Sequence, residues 1–178
     1  LVRRIKSLAT LCGDKEASQR LDDLAEIIAK KKTEPQKTNQ SCLLLRECLA
    51  VRARLVQNPD RWLVGEAVIW GLAWFTRRSG VDASAEHLVQ ELIQIGEAGL
   101  KQVVEGEFSA SPFLLTLGEL FKDVGECQQC ADVARENLYR EVDECVGDDG
   151  GVGLEQSFEI LSAVTRWVRC REIIRMNS

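Results

Sequence analysis

Apolar residues recur at spacings of three and four almost without interruption from Leu1 to Arg175. That 3.6-residue period is the mark of amphipathic helix, and neither alternating β-branched runs nor frequent prolines compete with it. The pattern predicts an all-α chain with no strand of five residues or more.

Eight helices follow from the start and stop signals. The first runs from about Leu1 to Cys12 and stops at Gly13. The second starts at Asp14 and ends on Lys30, Lys31 and Lys32, where cations suit the negative helix end. After the polar stretch TEPQKTNQ, Ser41 is the expected cap of the third, which ends near Asn58-Pro59. Asp60 is the expected cap of the fourth, which ends at Arg77, Arg78 and Gly80; it is apolar all round, as in a helix enclosed by neighbours. Asp82 or Ser84 opens the fifth, to about Val104, with Gly96 and Gly99 as points of weakness. Ser111-Pro112 is a cap-then-proline start for the sixth, ending at Gly125. The seventh spans roughly Glu126 to Val146, GDDGGVG makes a turn, and the eighth runs from Leu154 to about Arg175.

The even-numbered helices centre near residues 24, 69, 118 and 164, a spacing of about 45 that falls in the range of HEAT and armadillo-type arrays. The expected architecture is therefore a stack of antiparallel helical hairpins, an α-solenoid; an irregular helical bundle is the alternative. Residues 1–178 read as one all-helical domain, or as a piece of a longer helical-repeat protein.

No run of residues approaches the roughly 20 apolar positions a membrane span needs. Seven cysteines, an odd number scattered through helical patterns, favour reduced, buried thiols in an intracellular reducing compartment; cytoplasm, nucleus and organelle are not distinguished. The net charge of −5 is unevenly spread: residues 1–60 carry 12 basic against 8 acidic groups, and residues 82–159 carry 4 against 18. That asymmetry bears on partners rather than on fold.

Candidate chemistry is sparse. Cys127-Gln128-Gln129-Cys130 has the spacing of half a zinc site, but a tetrahedral site needs two more ligands. At 100° per residue Cys127, Cys130, Ala131, Ala134, Leu138, Val142 and Cys145 form one stripe, so these cysteines read as its small apolar members. His87, the only histidine, falls opposite Leu88, Leu92 and Ile95, on the solvent face. GDDGGVG fails the calcium-loop pattern, since with Gly150 sixth the first and twelfth positions are Cys145 and Gln156. No phosphate-binding glycine motif occurs. No cofactor, metal or catalytic residue is assigned.

Glu66 is the one ionisable group between Arg61 and Arg77, set among Trp62, Trp70 and Trp74. Arg52 falls near the middle of the apolar face of the third helix, seven residues before Pro59 as Glu66 is seven after it. In an antiparallel hairpin the two stand at the same height, so a structural ion pair between Arg52 and Glu66 is expected.

These features favour a non-catalytic helical interaction or scaffold module within a larger complex. Leu1, Arg3, Arg4, Ile5, Lys6, Arg46 and Arg54 form its candidate interaction surface, and a protein is the expected partner. The alternatives are a helical-repeat domain binding RNA or DNA through the basic residues, and an enzyme using Glu66 in a tryptophan-lined pocket.

Overall fold

The computed structural model describes residues 1–30, 38–55, 58–146 and 157–177, with side chains left undescribed at 38–41, 79, 144–145, 157–160 and 176–177. These residues form eight α-helices: α1 (Val2–Leu11), α2 (Lys15–Lys30), α3 (Thr38–Arg54), α4 (Asp60–Ser79), α5 (Ala83–Val104), α6 (Ser111–Leu120), α7 (Gly125–Cys145) and α8 (Ser157–Asn177). A short 3-10 turn, Phe108–Ala110, leads into α6, and no strand occurs among the described residues. The chain is all-α, as the period requires. Residues 33–37 of the polar stretch and all of GDDGGVG lie outside the described residues. Among the described residues no helix is long and apolar enough to cross a membrane.

Several helix starts differ from those expected. Helix α3 begins at Thr38, so Ser41 lies inside it; Thr38, Asn39 and Gln40 contain no breaker to hold the helix back. Ser111 does not cap α6. It already has helical angles (φ −55°, ψ −44°), whereas a capping side chain needs an extended residue to reach back to the third N–H. Asp60 makes no cap either: its Oδ2 accepts from the backbone N–H groups of Gly13 and Asp14, both at 2.8 Å. The carboxylate thus ties the turn between α1 and α2 to the start of α4. Helices α2 and α5 start just after Asp14 and Asp82, as expected, and the structure adds that Oδ1 of each accepts the N–H three residues on, from Ala17 and Ala85, at 2.8 Å.

The chain divides into two compact units, Leu1–Gln94 and Ile95–Ser178. In the first, α1 pairs with α2 and α3 with α4, and α4 touches all three others. That central position matches its all-round apolar sequence: Trp62, Val64, Ala67, Val68, Ile69 and Leu72 are all buried. Leu21, Leu24 and Ile28 of α2 are fully buried in the same core, each worth about 1.5–3 kcal/mol relative to exposure.

In the second unit α6 is the enclosed helix, every residue from Ser111 to Gly118 being buried, and it packs on α7 and α8. Helix α7 approaches Gly118 of α6 at Cys127 and Ala131, and Cys130 and Ala134 of the same helix are buried and small too. Small residues let the backbones approach. A Cβ placed on Gly118 would lie 2.5 Å from the carbonyl oxygen of Cys127, so no larger residue fits there. The weakness expected at Gly96 does not break α5, which is continuous. A Cβ on Gly96 would lie 3.1 Å from Cys130 Sγ, so that glycine answers to packing.

Candidate functional site

The stripe read along α7 has two fates. Its first half enters the core beneath α6, while Leu138 is half-buried and Val142 is 37% exposed. The reason is the neighbour: beyond Ala134 the stripe faces α8, and the two helices leave a groove of about 370 Å³ between them. From α7 the groove is lined by Leu138, Tyr139 and Val142, and from α8 by Trp167, Cys170 and Ile174. Arg135, Arg171 and Arg175 complete its wall. Tyr139 is 75% exposed, so the groove is open at the surface.

A buried carboxylate holds the groove together. Glu141, 2% exposed, accepts from Arg166 Nε at 3.0 Å and again from Arg166 Nη2, and from Trp167 Nε1 at 3.0 Å. The guanidinium neutralises a charge that burial would otherwise penalise, and the indole N–H gains an acceptor. Trp167 is thereby fixed in one orientation as a wall of the groove. Arg135, on the opposite wall, is held by Glu119 and by Asp132, the latter at 2.8 Å. Sequence reasoning missed this constellation. Glu141 looks like one more acid in an acidic stretch, and only the docking of α8 shows that it faces Arg166.

The first unit holds the tryptophans around Glu66. Glu66 is 2% exposed, as is Trp62, while Trp70 is 9% exposed. Arginines lie over these rings: Arg4 over Trp70 at 4.4 Å, Arg61 and Arg52 over Trp62 at 4.8 and 5.3 Å, and Arg78 over Trp74 at 4.7 Å. Burial, with the nearby Arg61 charge, lowers Arg52 to about 10. Arg52 therefore lies over Trp62 within the field of Arg61, and its pairing with Glu66 stays a proposal.

The expected interaction surface near the N-terminus does not form one exposed patch. Leu1, Arg3, Lys6, Arg46 and Arg54 are exposed, and Arg54 pairs with Glu16 at 2.7 Å. Ile5 is fully buried because α1 lays its apolar face on α2 and α4, and Arg4 is half-buried against Trp70. His87 is exposed, as read from its helix face, with Nε2 3.0 Å from Glu91 Oε1.

Cys127 and Cys130 are buried and form no disulfide, as is true of Cys12, Cys42, Cys48 and Cys170. Burial pushes the Cys127 thiol up to about 12, assisted by Cys130 and Glu126, and the Cys130 thiol up to about 11, assisted by Glu97. Both are protonated and unreactive near neutral pH. Among the described residues no group of three or more His, Cys, Asp or Glu side chains is placed to hold a metal ion. No protein-family model matches the chain, and no curated protein or solved structure matches it either.

Proposed function

We propose that the protein is a non-catalytic helical interaction module, and that it binds a protein partner through the groove between α7 and α8. One observation carries the reading: a stripe that is core-forming in its first half continues into an open groove with exposed Tyr139 and Val142. Exposed apolar surface of this kind, rimmed by charged residues, marks sites that bury it against something else. The rigid seating of Trp167 on Glu141 supports it, since a preorganised aromatic wall loses little entropy on binding.

A HEAT- or armadillo-like stacking of hairpins belongs to this proposal, supported by the pairs α1 with α2, α3 with α4 and α6 with α7. An intracellular reducing compartment is proposed on the six buried cysteines that form no disulfide.

The test is affinity purification from the native source with the wild-type chain and with Tyr139→Asp, a change at an exposed position that should leave the circular dichroism spectrum and Tm unchanged. Partners recovered with the wild type and lost with the variant support the reading. Partners recovered equally by both overturn the groove assignment. A salt-sensitive shift with single-stranded RNA would favour the nucleic-acid alternative, and a small molecule that raises Tm only while Glu66 is intact would favour the enzyme.

A further inference from the structure

Resting on the interaction reading, we infer that the occupant of the α7–α8 groove is an acidic amphipathic helix of a protein partner. Its apolar side chains sit between Tyr139 and Trp167, and its carboxylates meet Arg171 and Arg175.

Charge is the first argument. Of the nine residues lining the groove three are arginines and none is acidic. They lie in a unit built largely from the strongly acidic part of the chain, where residues 82–159 carry 18 acidic groups against 4 basic. A cationic rim on such a background is a local reversal of sign, and it selects an anionic ligand. Arg135 is committed to Glu119 and Asp132. Arg171 and Arg175 are exposed and make no ion pair with another described residue. Arg175 also suits the negative end of α8, but Arg171 lies a turn earlier, where that effect has faded.

Shape is the second. The groove runs from Arg135 to Val142 on α7 and from Trp167 to Arg175 on α8, about two helical turns or roughly 11 Å on each. A ligand helix presenting apolar anchors at positions i, i+3 or i+4, and i+7 spans the same length. Arg171 and Arg175 stand four apart on one helix face, so carboxylates four apart on the ligand meet both. The open, 75% exposed Tyr139 wall suits a peptide better than an enclosed small molecule. A nucleic acid would find two arginines and two aromatic rings here. Its phosphates, charged at every nucleotide, would carry that charge into the acidic remainder of the unit, whereas a helix keeps its carboxylates on the flank that meets Arg171 and Arg175.

The experiment selects a displayed library of helical 16-residue peptides on the purified 178-residue chain. All solvent-facing and anchor positions are randomised on an alanine scaffold. The inference expects enriched binders with aliphatic or aromatic anchors at i, i+3 or i+4, and i+7, flanked by Asp and Glu. Their affinity should fall about three- to tenfold in Arg171→Glu/Arg175→Glu, two exposed pairs being lost and reversed, and more steeply in Tyr139→Asp. Binders that are neutral or basic but still depend on Tyr139 overturn the acidic assignment and leave the interaction reading standing. Preferential binding of oligouridylate, or dimerisation in sedimentation that Tyr139→Asp abolishes, overturns the occupant. No selectable binder alongside a native partner lost in Tyr139→Asp shows that the groove works but takes something other than a helix. No binder and no Tyr139-dependent partner overturns both.

Discussion

Trp167 donates its indole N–H to Glu141 Oε2 at 3.0 Å, across the contact between α8 and α7. Arg166 donates to the other oxygen of the same carboxylate from Nε and Nη2, and its Nε also reaches Oε2 at 3.3 Å. Adjacent residues on α8 thus converge on one buried group of α7, and the groove wall inherits its position from that convergence.

Removing Glu141 strands the half-buried Arg166 charge and the indole donor together. Glu141→Ala should lower the unfolding free energy by about 3–5 kcal/mol, the usual cost of breaking a buried pair from one side. Replacing both partners by apolar residues, as in Glu141→Leu/Arg166→Met, should recover much of that loss. Urea denaturation of the two variants measures it, and a double variant as unstable as the single one would refute the account.

The close approach of α6 and α7 makes a sharper demand on a single methyl group. Gly118→Ala would force a Cβ against Cys127 and Ala131, which are backbone and short side chain and cannot swing away. Overpacking of this kind costs about 1–3 kcal/mol, even though alanine favours helix by nearly 1 kcal/mol over glycine. A more stable Gly118→Ala protein in thermal melts would show that the two helices have room to separate.

For Arg52 the partners can be told apart by double-mutant cycles. Its guanidinium lies 5.3 Å from the Trp62 ring centre, so Arg52→Met with Trp62→Phe should give a coupling of about 0.5–1 kcal/mol. The hairpin register instead proposes Glu66, and a buried ion pair would give a larger coupling with Glu66→Gln, above about 2 kcal/mol. A Glu66 coupling above that value supports the proposed ion pair, and a measurable coupling to Trp62 alone refutes it.

The buried thiols carry a pH dependence with a definite sign. Cys127 and Cys130 hold their protons in the folded protein to about 12 and about 11, against an ordinary 9.0. Above pH 9 the unfolded chain releases protons that the folded chain keeps, so stability present below 9 is lost as the pH climbs towards 12. Between pH 8 and 10 the wild type should therefore lose stability faster than Cys127→Ala/Cys130→Ala. Equal slopes in chemical denaturation would mean that the thiols are not held neutral.

Local features of the sequence were enough for the helix class, the starts of α2 after Asp14 and of α5 after Asp82, the solvent-facing His87 and the packing of Cys127 and Cys130 in a core stripe. Each depends on residues within one or two turns of each other, and the 3.6-residue period reports those neighbours directly. Pairings across helices had no such signal. That Asp60 serves Gly13 and Asp14, that Ile5 is withdrawn from the surface, that Glu141 receives Arg166 and Trp167, and that the α7 stripe runs out of the core at Val142 depend on which helices meet and at what register. A period says which face of a helix is apolar; only the packed neighbour decides how much of that face is covered.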